Sequence, residues 1–187
     1  VLYYKDGSKY IGMWTDNLKS GDGKLIKANG DKYIGEFLND KINGKGEYIY
    51  SKGDKYIGEF KDNVFHGHGC YINASGDTYE GEYRYGLKKG YGILKSIDNT
   101  VYEGEFKDDL FEGNGRYRYK NEGIYEGDFK RGKRHGIGTY VCSLYKYIGE
   151  WENDKKGKVG TYYLNSKVVI DVVIEGNILN GVYKANG

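Results

Sequence analysis

Read for alternation of apolar and polar positions, the chain repeats one short phrase. From Tyr56 it runs Tyr-Ile-Gly-Glu-Phe, which puts Tyr56, Gly58 and Phe60 on one face of a strand and Ile57 and Glu59 on the other. Lys61, Asp62 and Asn63 follow as turn formers, then a Gly-x-Gly at Gly67 and Gly69, then Tyr71 opening a second alternating run. Two alternating runs about a polar turn predict a β-hairpin. No stretch carries a helical period, and each internal glycine would cost a helix about 1 kcal/mol.

The phrase recurs with its register intact. Its leading residue is Tyr10, Tyr33, Tyr56, Tyr79, Tyr102 and then Tyr125, in steps of 23 residues. A glycine stands two places after each and an aromatic four places after, from Trp14 and Phe37 to Phe106 and Phe129. A fixed period of this length predicts a repeat array, in which each unit is stabilised by stacking on its neighbours. The links are Gly-Asp or Gly-Ser (Gly30-Asp31, Gly53-Asp54, Gly76-Asp77), where glycine supplies a positive φ. In the next two links Asn99 takes that place and then the glycine moves by one, to Gly123. A seventh unit starts at Tyr147 after a shorter step, and its glycine pair is expected to be stretched to Gly157 and Gly160. After Tyr163 the chain turns aliphatic, from Val168 to Ile174. The expected division is therefore an array over 1–163, starting mid-hairpin, and a degenerate terminal hairpin over 164–187. That last hairpin is read as a cap or a dimer contact. The register at Leu2 and Gly7 further predicts a parent protein that extends upstream.

Composition narrows the architecture. Among 187 residues there are 22 tyrosines, 31 glycines and no proline, with 38% hydrophobic residues overall. Tyrosine brings apolar area with a wet tip, which suits a thin structure without a second layer. The fold class expected is all-β: an elongated, twisted, single-layer antiparallel sheet of about seven to eight stacked hairpins. The net charge of +2, from 29 basic and 27 acidic residues, gives no case for nucleic acid as a partner. Two cysteines and no export signal favour a cytoplasmic setting. Cys70 and Cys142, about three repeats apart, are expected to stay unpaired.

The pattern Tyr-x-Gly-Glu-aromatic followed by Gly-x-Gly resembles the MORN (membrane occupation and recognition nexus) repeat over nearly the whole chain. That resemblance implies a solenoid of hairpins with no intrinsic catalysis. It also implies a role in cytoskeletal or cortical assemblies, at membranes, or as the regulatory array of a larger enzyme. End-to-end pairing of two copies is a further implication.

Few residue patterns in the chain carry chemistry. Gly127 to Lys133 opens like a phosphate-binding loop, but Arg134 stands where a magnesium-binding Ser or Thr is needed and no helix follows. The row Glu36, Glu59, Glu82, Glu105, Asp128 and Glu150 reads as a solvated face, its members too far apart for a glycosidase pair. His66, His68 and Cys70 are expected to project to one side, splayed too widely for a metal. No cofactor is expected. Two candidate surfaces follow. A glycine between two aromatics leaves a slot that a ring of the next hairpin is expected to cover, and rings without a second layer should stay exposed as a groove. Tyr56, Phe60, Tyr71, Tyr79, Tyr83 and Tyr102 would there hold an extended or amphipathic helical segment of a protein partner, as the resemblance to retinophilin-like proteins also implies. The basic turns at Lys88-Lys89 and at Lys130, Arg131, Lys133 and Arg134 form the alternative, a contact with phosphoinositides on an anionic membrane surface.

Overall fold

The computed structural model describes residues 1–164, 168–175 and 178–185, with side-chain surroundings for residues 1–164. The chain forms two compact units, residues 1–97 and 98–187. In the first, β1 (Leu2–Tyr3), β2 (Lys9–Thr15), β3 (Leu18–Ile26), β4 (Lys32–Leu38), β5 (Lys41–Ile49), β6 (Lys55–Lys61), β7 (Val64–Ile72), β8 (Thr78–Arg84) and β9 (Leu87–Lys95) follow one another, each antiparallel to the next. In the second, β10 (Val101–Lys107), β11 (Leu110–Arg118), β12 (Ile124–Lys130), β13 (Lys133–Val141), β14 (Tyr145–Glu152), β15 (Lys155–Leu164), β16 (Val168–Glu175) and β17 (Ile178–Ala185) do the same. Each unit is thus a single-layer antiparallel meander, and the described residues contain no helix. The fold is all-β, as the alternation predicts. The capping or dimer role expected for residues 164–187 turns on side chains that lie outside the described residues.

Local chemistry sets each hairpin. The two-residue tips have positive φ at both places, as in Asp62 (49°) and Asn63 (71°). That is the type I′ turn, whose twist matches the flanking strands. Asp and Asn tolerate this backbone, and Tyr85-Gly86 and Arg131-Gly132 supply a glycine at the second place. The run resembling a phosphate-binding loop contains the Arg131-Gly132 tip. Beyond the tip, the second strand carries a bulge. Between the pairs Gly35–Gly46 and Phe37–Ile42, one residue of β4 faces three of β5. The first glycine of each Gly-x-Gly in the first six repeats lies inside this bulge with a left-handed backbone, as at Gly44 (φ 66°) and Gly67 (φ 56°).

Repeats are zipped along both margins. At the tips, the Lys19 amide donates to Asp40 Oδ1 (2.9 Å) and the Asp40 amide to the Lys19 carbonyl (3.1 Å). Ile42 and Asn63, then Arg134 and Asp154, repeat that exchange. At the links of the first unit, Asp31 accepts from the Ser51 amide (2.9 Å), Asp54 from Ala74 (2.8 Å) and Asp77 from Ile97 (2.8 Å). Glycine stands in place of that aspartate at 123, where the Gly123 carbonyl accepts from the Tyr119 amide at 3.0 Å. The next link is one residue shorter, closed by the Cys142 amide on the Tyr145 carbonyl at 3.0 Å, and this produces the short step to Tyr147.

Candidate functional site

The aromatic face is a closed lattice. Each leading tyrosine lies down along its own strand, over the glycine two places on and the glycine opposite. An added Cβ on Gly58 would meet Tyr56 Oη at 2.7 Å, and one on Gly69 would meet it at 2.3 Å. The hydroxyl then donates to the carbonyl three residues on, Tyr56 to Glu59 at 2.9 Å and Tyr102 to Glu105 at 2.8 Å. The slot is therefore filled by the hairpin's own ring, correcting the expectation that the next hairpin covers it. Its own repeat and the next supply the ring edges. Tyr33 meets Phe37 and Phe60 edge-on, both with centroids 5.2 Å away. Phe65 stacks on Tyr56 at 3.7 Å and Phe111 on Tyr102 at 3.7 Å, while Lys88 and Arg134 lie over Tyr79 and Tyr125. Burial pushes the Tyr33, Tyr56 and Tyr125 phenols well above their ordinary pKa.

This geometry overturns the exposed groove. Tyr56, Phe60, Tyr79, Tyr83 and Tyr102 are 0%, 4%, 1%, 6% and 1% exposed. Rings expected to stand open are covered by one another, because a ring lying flat along the strand needs no second layer to bury it. Tyr71 is half-buried, its hydroxyl donated to Asp54 Oδ2 at 2.7 Å.

The acidic row is corrected as well. Glu59 folds over the left-handed Gly67 and accepts from the His68 amide at 3.1 Å. Glu36 accepts from Lys45 (2.9 Å), Glu105 from Asn114 (3.3 Å) and Asp128 from Ile137 (3.2 Å). These carboxylates cap bulge amides. In the seventh repeat the glycine pair is not stretched. Gly160 keeps its register opposite Gly149, and Lys158 occupies the first glycine's place without a left-handed backbone. His66, His68 and Cys70 do not form one projecting row, since Gly67 breaks the alternation between the histidines. No cluster of metal-ligating side chains occurs among the described residues. Cys70 and Cys142 are free thiols.

The basic turns separate into two kinds. Lys130, Arg131 and Lys133 are exposed, whereas Lys88, Lys89 and Arg134 are half-buried. The Arg134 guanidinium lies 4.3 Å from the Trp151 ring centroid and bonds to Asp154. It belongs to the lattice, so the exposed set is smaller than the sequence suggests. With His135 and Asn153, the three exposed residues line an open depression of about 370 Å³. A larger one, about 810 Å³, begins at His135 and takes in Lys155 and Lys158.

Open apolar side chains lie on the reverse face of the first unit, which sequence reasoning left aside. Ile11, Ile34 and Ile57 are 38%, 43% and 44% exposed. Cross-strand pairing sets them opposite Lys24, Glu47 and Cys70. Half-buried Ile26, Ile49 and Ile72 pair with Lys32, Lys55 and Thr78 in the adjoining row. The six isoleucines thus zigzag across β2 to β7. In repeats four to six Glu80, Glu103 and Glu126 replace Ile11, Ile34 and Ile57. Lys95, Arg118 and Val141 replace Ile26, Ile49 and Ile72. The signal was present in the same alternation that aligned the tyrosines.

Among curated proteins none matches the chain. The MORN repeat family model matches residues 10–32, 33–55, 56–78, 79–101, 102–124, 125–143 and 147–166. Each match opens on a leading tyrosine of the lattice. Such repeats are a non-catalytic type that generally serves contacts with proteins or membranes. With seven consecutive matches covering most of its length, this chain belongs to the MORN-repeat family.

Proposed function

We propose that the chain is a non-catalytic adaptor and that its docking surface for a protein partner is the reverse face of the first three repeats. One observation carries this reading. The fold accepts Glu80, Glu103 and Glu126 at the position where repeats one to three carry Ile11, Ile34 and Ile57. Isoleucine is therefore not required there for folding, and a row of open apolar side chains is what an interaction surface needs. The setting that fits is a cytoplasmic, cytoskeletal or cortical assembly. The test replaces Ile34 and Ile57 by Glu in the full chain and compares proteins crosslinked to it in its native cell extract. A specific partner should be lost while the fold is kept. Unchanged capture by the double variant would remove this surface from the reading.

A second reading rests on the tips of repeats six and seven. There exposed Lys130, Arg131 and Lys133 converge on the depression shared with His135. That arrangement suits the phosphates of an anionic lipid headgroup, at about 1 kcal/mol per charge near a membrane. Sedimentation with phosphoinositide-containing vesicles, at low and high salt, tests it. Binding should fall in a Lys130→Ala, Arg131→Ala, Lys133→Ala variant, and binding that ignores both salt and the substitutions would reject it.

A further inference from the structure

We infer that the isoleucine zigzag of the first unit is a seat for an acidic amphipathic α-helix laid across the strands; this rests on the docking surface proposed above and names its occupant.

The argument is metric. Successive isoleucines sit on successive strands and alternate between two rows, so contacts advance about 4.8 Å at a time while switching sides. Diagonal neighbours on such a face are about 7–8 Å apart. An α-helix with apolar residues at heptad positions a and d also switches sides at each contact, advancing about 5.2 Å on average. The two patterns drift apart by only about 2 Å over the five steps from Ile11 to Ile72, within side-chain reach. An extended strand fits poorly. It advances about 3.3 Å per residue, so one repeat of about 9.6 Å takes close to three residues and turns the next side chain away. A seam two rows wide also matches a helix about 10 Å in diameter better than a single extended backbone.

Charge selects the kind of helix. Lys9, Lys32 and Lys55 alternate with Ile26, Ile49 and Ile72 within one row of the seam, one lysine per repeat at about 9.6 Å, close to the heptad rise of about 10.5 Å. The other row alternates Ile11, Ile34 and Ile57 with Lys24, Glu47 and Cys70, and Glu47 is paired with Lys55. Within the two rows four lysines stand against one glutamate, so carboxylates at the heptad positions beside the apolar stripe complement them. The seat ends where Glu80 takes the isoleucine position, which sets the helix at about two to three heptads.

The test uses the 187-residue chain and a fluorescein-labelled, end-capped synthetic peptide of about 21 residues, with Leu at a and d, Glu at e and g, and Ala or Gln elsewhere. Glutamate on both flanks keeps the peptide from pairing with itself. Anisotropy should report saturable binding that weakens about tenfold or more in Ile34→Glu, Ile57→Glu, and likewise when the peptide's Glu are replaced by Lys. A Lys9→Glu, Lys32→Glu variant should reverse the preference and bind the Lys peptide, an outcome that misfolding does not produce. Equal binding of both peptides, or binding indifferent to the two Glu substitutions, overturns the inference. So does the alternative that the double Ile variant instead abolishes binding of anionic vesicles or dissociates a dimer, which would make the occupant a membrane or a second copy. If the crosslinked partner depends on Ile34 and Ile57 but the acidic peptide does not compete with it, the docking surface stands and the helix does not.

Discussion

Residues 1–97 and 98–187 each build the same kind of interior and carry different exteriors. In both units the leading tyrosine closes over its own glycines, donates to the carbonyl three residues on and meets aromatic edges from its own and the adjoining repeat. In the first unit the reverse face is an isoleucine seam and the links are tied by Asp31, Asp54 and Asp77. In the second, the seam positions of repeats five and six hold Glu103, Arg118, Glu126 and Val141, and Gly123 leaves its link without a carboxylate. The interior keeps its tyrosines and the glycines beneath them because those contacts are made at backbone distance, while the residue lying over each ring changes, as in Phe65, Lys88, Phe111 and Arg134. The exterior is free because every other side chain of a strand points away from that lattice. The likeness of the units is thus a record of folding.

The largest effect should be the same in both units. Tyr56→Ala and Tyr125→Ala each remove a fully buried ring and are expected to cost about 3–5 kcal/mol. Each unit holds one tryptophan, Trp14 or Trp151, so urea unfolding with the other Trp replaced by Phe reports them separately. A much smaller loss for Tyr125→Ala would break the claim of a shared interior. Next come Gly58→Ala and Gly127→Ala. The added methyl of each would meet the Cα of Gly69 or Gly138 at 2.5 Å, so a loss of about 1–3 kcal/mol is expected for both. The same urea experiment checks it.

Smaller effects should divide the units. Asp31 is held below the usual carboxylate range by the Ser51 amide first, and Asp54 by the Tyr71 hydroxyl first. A lowered folded-state pKa adds stability that is present above the unfolded value, about 3.9, and is lost as pH falls through the lower folded value. Asp31→Asn with Asp54→Asn should flatten the acid limb reported by Trp14 and leave that of Trp151 unmoved. An acid limb at Trp14 as steep as before would remove the link carboxylates from the account. The smallest effect concerns the exterior: Ile34→Glu with Ile57→Glu should change the urea midpoint by less than about 0.5 kcal/mol equivalent, as for an ordinary surface exchange. A clear destabilisation would mean that the seam serves folding and would sharpen the contrast in the opposite direction.

What was legible in the sequence followed the alternation. The period, the hairpin, the left-handed links and the all-β class depend on residue order and turn chemistry, both written into the chain. Less legible was the direction in which a side chain lies once it leaves the backbone. Tyr56 and Gly58 share a face, but only the space opened by Gly58 and Gly69 together lets the ring fall along its own strand, and Gly69 is adjacent only after pairing. Glu59 was misread for a similar reason. Its partner is the amide of His68, freed by a bulge that two residues of mismatch between strands create. A nine-residue second strand beside a seven-residue first strand was the available clue. The isoleucine seam is written as plainly as the tyrosines, but alternation alone does not say which of a strand's two faces is buried.

The tyrosine that closes its own slot has a consequence for how such proteins grow. Had the ring come from the following hairpin, every array would end on an empty slot, and each duplication or loss of a unit would leave a gap to be refilled. Here the plug and the socket are inherited together in one 23-residue segment. Copying that segment lengthens the protein without disturbing the closure of its neighbours, and a new copy is at once free to diverge on its far side.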